Sequence, residues 1–382
     1  MMQTALYIHF PFCLKKCLYC DFNSLAGSPV GAKEYVAGLL QEMTLRAGAL
    51  SEPTSAPTLY FGGGTPSLME PTQVGGIIDS AARLYHLADD AEITLEANPG
   101  TLTREKLAGY RSAGVNRLSL GVQSFDDRQL ELLGRVHTAS QALTAYALAR
   151  DAGFTNISID LIHSLPGESV GCWEHQLKKA IALQPEHISA YALTLEEGTP
   201  LAEQVAAGTV ALPAENEAVR QFGLTTELLP AAGYEQYEIS NFARPGFRAQ
   251  HNQVYWRRGS YLGFGAGAHS FLREAPYGVR WKTPDMPEQY LATLGHLALP
   301  EEERHLLSRR EAISECLFLG LRMLEGIELA KFEDEFGDAV TNLFATELAT
   351  LTGQGLLLME GGRLRLSPAA LIVSNQVFLR FI

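Results

Sequence analysis

The chain is poor in cysteine and in positive charge, and it has no long apolar run. Five cysteines in 382 residues exclude a disulfide scaffold. No apolar stretch approaches the ~20 residues that a membrane-spanning helix needs. The opening Met1-Met2-Gln3-Thr4 has no basic residue ahead of an apolar segment, so no secretory leader is expected there. A net charge of −13 argues against a general nucleic-acid surface. Internal repeats and low-complexity segments are missing too. Together with surface thiols, which suit a reducing compartment, these absences lead us to expect a cytoplasmic protein. The length and the 46% hydrophobic content suit a large domain with a smaller one beside it.

The little cysteine present is crowded. Cys13, Cys17 and Cys20 fall within eight residues, after the aromatic run Tyr7-Ile8-His9-Phe10-Pro11-Phe12, while Cys172 and Cys316 stand alone. The C-x3-C-x2-C spacing offers three thiolates from one loop. Thiolate sulfur is soft enough to bind iron tightly and share its charge, as an iron–sulfur cluster requires. A [4Fe–4S] cube on three cysteines keeps one iron open, and S-adenosylmethionine (SAM) can chelate it through its amino and carboxylate groups. The competing reading is a closed zinc site of Cys13, Cys17, Cys20 and His9.

Short apolar runs alternate with amphipathic stretches over the first half. Strands are expected at Leu6–His9, Leu59–Phe61, Ile93–Glu96, Arg117–Gly121, Ile157–Leu161 and Ile188–Ala192. Helices are expected at Lys33–Ala47, Pro71–Leu84, Thr103–Ala113, Ser140–Ala152 and Cys172–Leu183, with Thr103 and Ser140 as N-caps and Gly114 and Gly153 as stops. Such alternation makes βαβ units and a parallel sheet. Six units predict an α/β fold of partial (β/α)6 barrel type, with ligands at the carboxyl ends of the strands. The suggestive residues fall there. Gly62-Gly63-Gly64-Thr65 lets backbone approach a ligand closely, and Glu96 suits the two hydroxyls of a ribose. Gln123 ends the fourth strand, Arg135 suits an amino-acid carboxylate, and Asp160 lies on the fifth strand.

Taken in order, Y-x-H-F-P-F-C-x3-C-x2-C, G-G-G-T-P, E-A-N-P, G-V-Q-S-F and D-L-I-x-x-L-P-G resemble the radical SAM family of oxygen-independent coproporphyrinogen III oxidases. The resemblance covers about the first half of the chain. It implies that Cys13, Cys17 and Cys20 hold the [4Fe–4S] cluster. It also implies that SAM is met by Gly64 and Thr65, by Glu96 and Gln123 at the ribose, by Arg135 at the carboxylate, and by Asp160 and Ala192, with Tyr7 and Tyr19 flanking. In one respect the chain departs from the oxidases: they have a further cysteine two positions after the third, where this chain has Phe22. That points to the haem chaperone branch of the family, as does His251-Asn252-Gln253-Val254-Tyr255-Trp256, which matches the H-N-x-x-Y-W element of that branch.

The segment Ile239–Lys282 carries seven Arg and Lys residues against Glu274 alone. It offers His251 to a haem iron, Tyr255 and Trp256 to the macrocycle, and Arg244, Arg248, Arg257 and Arg258 to the propionates. Gly263-Phe264-Gly265-Ala266-Gly267-Ala268-His269 reads as a close backbone approach, since it lacks the GK[ST] ending of a phosphate loop. From about Pro284 the pattern turns helical, at Arg309–Leu324, Leu329–Phe336 and Val340–Gln354. A β pair then turns at Gly361-Gly362, and the whole predicts a winged-helix-like packing module rather than a DNA reader. The expected division is a core barrel over 1–240, a haem-motif connector over 241–283 and a C-terminal helical domain over 284–382.

Three functions compete. The first is a chaperone that binds the cluster, SAM and haem and delivers haem to haem-requiring proteins, including membrane respiratory enzymes met at the cytoplasmic face. The second is a radical SAM porphyrinogen oxidase or anaerobic haem-modifying enzyme. The third is a zinc-stabilised α/β protein without redox chemistry.

Overall fold

A computed structural model describes all 382 residues. Seven parallel strands form its centre: β1 (Ala5–Phe10), β2 (Thr54–Gly63), β3 (Leu87–Ala97), β4 (Arg117–Gln123), β5 (Ile157–His163), β6 (His187–Ala192) and β7 (Tyr261–Phe264). Their order in the sheet is 7-1-2-3-4-5-6. The first six are the expected strands. β7 is an addition, and it pairs with β1, so the last parallel strand lies beside the first. The sheet does not close. Asn241–Ala243 continues it antiparallel beyond β6, and His269–Leu272, Val279–Lys282 and Glu302–Leu306 continue it antiparallel beyond β7. The 241–283 segment, expected as a connector, therefore contributes strands to both ends of the main sheet.

Strict alternation along the strands decides what faces where. Leu6, Ile8, Leu59, Phe61, Ile93, Leu95, Leu118, Leu120, Ile157, Ile159 and Ile188 all belong to one core of 50 buried residues, under the helices. The residues between them point inward, and they are polar. The helices start where local chemistry dictates. Thr103 accepts from the Lys106 N–H at 3.2 Å, as expected. The helix Ala139–Asp151 is capped by Thr138, not Ser140, because Thr138 and Gln141 form a reciprocal capping box.

A second core of 18 buried residues runs from Ala312 to Phe381 and includes Ile239. It is built as the helix Arg309–Gly320, a strand Ile327–Glu328, further helices and the pair Leu357–Glu360 and Arg363–Leu366, which together make a three-stranded sheet. That order fits the winged-helix-like expectation. The helix Pro287–Gly295, expected with this unit, packs instead in the larger core through Tyr290 and Leu294. No helix is long and apolar enough to cross a membrane.

One buried carboxylate ties the helix Ala32–Ala49 to the turn after β7. Glu42 accepts from Tyr290 Oη at 2.7 Å and from the Gly265 N–H at 2.9 Å, and burial pushes its carboxyl up to about 7. Between its ordinary 4.5 and that value the folded state keeps a proton that the unfolded chain releases. Stability from this group therefore falls as pH rises through the window and is flat above it. In Glu42→Gln the difference in unfolding free energy between pH 5 and pH 8 should shrink by ~3 kcal/mol, read by chemical denaturation. An unchanged difference would remove Glu42 as its source.

Candidate functional site

The inward side chains of β2 to β6 enclose a cavity of about 390 Å³ that opens at the carboxyl ends of the strands. Cys13, Cys17, Cys20 and Tyr19 line its mouth, together with Gly64, Thr65, Glu96, Gln123, Arg135, Asp160 and Ala192. Eleven of the thirteen expected site residues thus meet in one place. The two outside are Tyr7 and His251. Tyr7 lies one layer deeper, stacked on Tyr60 with its hydroxyl 3.1 Å from His9 Nδ1.

The cysteine loop is held by main chain. Leu25 N–H donates to Pro11 O at 2.8 Å, Gly64 N–H to Phe10 O at 2.8 Å, and Thr65 N–H to Phe12 O at 2.9 Å. A Cβ on Gly64 would meet Pro11 O at 2.6 Å and Phe12 O at 2.8 Å, so only glycine fits there. The thiols themselves take only weak neighbours. Thr65 Oγ1 lies 3.4 Å from Cys13 Sγ, Arg135 Nη1 3.4 Å from Cys17 Sγ, and Ser24 Oγ 3.9 Å from Cys20 Sγ. All three cysteines are free.

The fourth ligand of the zinc reading is engaged elsewhere. His9 Nε2 is 2.8 Å from Asn23 O and its Nδ1 meets Tyr7, so the ring serves the core. No three His, Cys, Asp or Glu side chains close around a single ion. Three soft thiols spread along one cavity wall suit a cluster better than one small cation.

Below the thiols the acidic residues are prepared by their neighbours. Tyr60 Oη donates to Glu96 Oε1 at 2.7 Å, and burial pushes that carboxyl up to about 7. Asp160 accepts from Ser119, Ser158 and Ser189 at 2.7–2.9 Å, so both its oxygens are fixed by hydroxyls. Arg135 Nη2 donates to Gly121 O at 2.7 Å, which aims the guanidinium between the cysteine loop and β4. Gln123 adopts φ 66°, a left-handed backbone at the strand end that turns its amide into the cavity.

Sequence reasoning passed over several lining residues: Tyr60, Arg117, Ser119, His187, Ser189 and Asn252. The signal was present as period-two alternation, because polar residues at every second position of a buried strand must face a hydrated space. Arg117 is 2% exposed and donates no hydrogen bond to any protein group.

His251, expected as an open ligand for haem iron, is instead enclosed. Its Nδ1 is 2.8 Å from Thr58 Oγ1, its Nε2 is 2.8 Å from Tyr255 Oη, and its ring stacks on Tyr60 at 4.9 Å. Burial, with Arg117 nearby, pushes its pKa down to about 3. The basic residues around it are also occupied. Arg258 is buried and pairs with Glu315 and Glu335 at 3.1 and 3.0 Å, Arg257 pairs with Glu325, and Arg280 with Glu315. Arg248 pairs with Glu235, Arg273 with Glu335, and Arg244 lies over Tyr234. Trp256 is covered by Arg322, 4.4 Å from its ring. The local positive charge is spent on this chain's own carboxylates.

Residues 7–180 match the model of the radical SAM superfamily, and residues 307–373 match that of the HemN C-terminal domain. The chain is 35% identical to heme chaperone HemW of Bacillus subtilis, over 100% of this chain and 99% of the relative. The chain belongs to the HemW family. HemW of Lactococcus lactis is 34% identical over 99% of this chain and 97% of its own. A mitochondrial relative from Bos taurus, radical S-adenosyl methionine domain-containing protein 1, is 38% identical over 99% of this chain and 87% of its own. Among solved structures, coproporphyrinogen III oxidase (HemN) of Escherichia coli aligns over 100% of this chain and 90% of its own, with a TM-score of 0.83. At 23% identity that likeness speaks to the fold. For this HemW-family chain, the parallel sheet and the helical C-terminal unit are those of the radical SAM and HemN pattern.

The glycine at the loop contact gives a direct check. Gly64→Ala should leave the sheet folded but push the Pro11–Phe12 backbone away. Iron and sulfide retained after anaerobic reconstitution should fall well below wild type, while far-ultraviolet circular dichroism stays the same. Full retention would mean that the contact does not position the cysteines.

Proposed function

We propose that this chain is a haem chaperone that works with a [4Fe–4S] cluster and SAM and passes haem to haem-requiring proteins. The observation that carries the reading is the end-to-end similarity to proteins named heme chaperone HemW. The gathering of the cysteines with the carboxylates and Arg135 in one cavity supports it.

In this reading Cys13, Cys17 and Cys20 hold the cluster. When bound, the cluster supplies one electron at low potential to a SAM chelated at its open iron. The chain's own residues do the placing. Arg135, already fixed by Gly121 O, pairs with the SAM carboxylate, and Glu96 and Gln123 take the ribose hydroxyls. Asp160, with Tyr19, Thr65 and Ala192, shapes the remaining wall. Tyr7 acts from behind by packing against Tyr60, which holds Glu96. His251 would reach a haem iron only by giving up Thr58 or Tyr255, so its role as it stands is to brace that wall.

Charge-assisted hydrogen bonds contribute ~1.5–3 kcal/mol each, so Arg135→Ala should weaken SAM binding roughly ten- to a hundredfold in calorimetry on the reconstituted protein. Equal affinity would end that role.

The function itself is tested by mixing the haem-loaded, cluster-loaded protein with the apo-form of a membrane-extracted respiratory enzyme. Haem should appear in the acceptor faster than from free haem. Under anaerobic conditions with SAM, coproporphyrinogen should stay unchanged, in keeping with Phe22 in place of the oxidases' further cysteine. Haem held without transfer, or formation of protoporphyrinogen, would favour the enzyme reading instead.

A further inference from the structure

A haem carrier needs an imidazole with a vacant nitrogen, apolar surface for the macrocycle and a cation for the propionates. The histidines can be surveyed one by one. Seven of the ten are committed to hydrogen bonds: His9, His86, His137, His163, His187, His251 and His305. Of the remaining three, His175 and His296 sit on outer helices. His269 is exposed and has no hydrogen-bond partner, and it begins the strand that follows β7, at the cavity end of the sheet.

The cysteine loop lies directly against this segment. Asn23 Nδ2 donates to Ala266 O at 3.2 Å and to Asp285 O at 2.9 Å, and its amide lies in contact with Gly267. Asn23 thus brings its neighbour Phe22 beside the turn that carries His269, and brings residue 285 there as well. Phe22 is 63% exposed and Met286 is 44% exposed, unusual for side chains that apolar. Lys16, exposed, donates to Phe22 O at 3.2 Å and has no carboxylate partner. Lys282 sits directly opposite His269 in the antiparallel pair, so the two side chains share a face.

Resting on the carrier reading, we infer that haem binds on this rim, with His269 as the iron ligand, Phe22 and Met286 against the macrocycle and Lys16 at a propionate. The bond formed is a lone-pair donation from an imidazole nitrogen to iron, with no change of oxidation state. Partial burial and the nearby Lys282 and Arg280 lower the His269 pKa, which keeps that lone pair free near neutral pH. The site shares its wall with the cysteine loop, so haem and cluster would be neighbours without sharing the cavity.

The test is a titration of cluster-loaded protein with ferric haem, followed in the Soret band. His269→Ala, an exposed change, should shift the Soret maximum and weaken binding about tenfold or more. Phe22→Ser should weaken binding while the ligation spectrum persists. Wild type should prefer haem to its dimethyl ester, and Lys16→Gln should erase that preference. His251→Gln should keep the wild-type Soret spectrum. Wild-type spectrum and affinity in His269→Ala, with the loss in His251→Gln instead, would overturn the site and leave the carrier reading standing. Failure of wild type to bind haem at all would overturn both.

Discussion

The site depends on one approach of backbone to backbone. Because Gly64 lies flat against Pro11 and Phe12, the main chain alone docks the cysteine loop onto the ends of β1 and β2. No cysteine side chain is needed to hold the loop in place. The three thiols are therefore left with weak contacts and an open cavity, as metal ligands must be before their metal arrives. A loop anchored through its side chains would have needed those groups for folding. The same logic explains the second glycine contact. A Cβ at Gly265 would meet His9 O at 2.5 Å, and the turn there is instead fixed by Glu42, Tyr35 and Thr283.

The polar interior follows from the alternation of the strands and has an energetic cost. Glu96, Asp160, Arg117, His187 and His251 are desolvated, and a buried charge without partners costs several kcal/mol. Asp160 is offset by three serine hydroxyls, and His187 by Ser158 and Tyr237 at 2.8 Å. Glu96 has Tyr60, and its raised pKa shows that one donor compensates only partly. A ligand bringing hydroxyls or positive charge would complete that compensation. A binding site of this kind is held ready by interactions deliberately left incomplete, on a rigid sheet that does not relax to satisfy them.

Much of this was legible in the sequence, and what was missed has a common cause. The six strands, the cysteine loop and the Gly64–Thr65 turn are local patterns, and each appears where expected. The Thr138 cap was displaced by two residues because Ser140 competes with it for the same role and only the capping box separates them. β7 was hidden by Gly263, whose missing side chain lets it lie against the backbone of His269. The haem segment was misread for a longer-range reason. Its arginines look free in sequence, yet the carboxylates that claim Arg257, Arg258, Arg273 and Arg280 lie at 315, 325 and 335, dozens of residues later. Composition shows a surplus of charge but not where it is spent.

That expenditure also explains the C-terminal unit. Helix Gln250–Trp256 carries His251 against the floor of the barrel, and its outer side needs a cover. Arg322 over Trp256, the bridge between Glu238 and Met323, and the buried Arg258 with its two glutamates supply it. Pairs this buried are weakly screened, and removing one partner strands a charge at a cost of about 3–5 kcal/mol. The acidic character of the module is thus matched to the basic segment it covers, as a packing partner rather than a reader of nucleic acid. With helix Gln250–Trp256 sealed from both sides, a bulky flat ligand has no entry there without separating the two cores. The rim beside the cysteine loop requires no such opening, which is why the exposed His269 and not the enclosed His251 fits a cargo that must be released as well as bound.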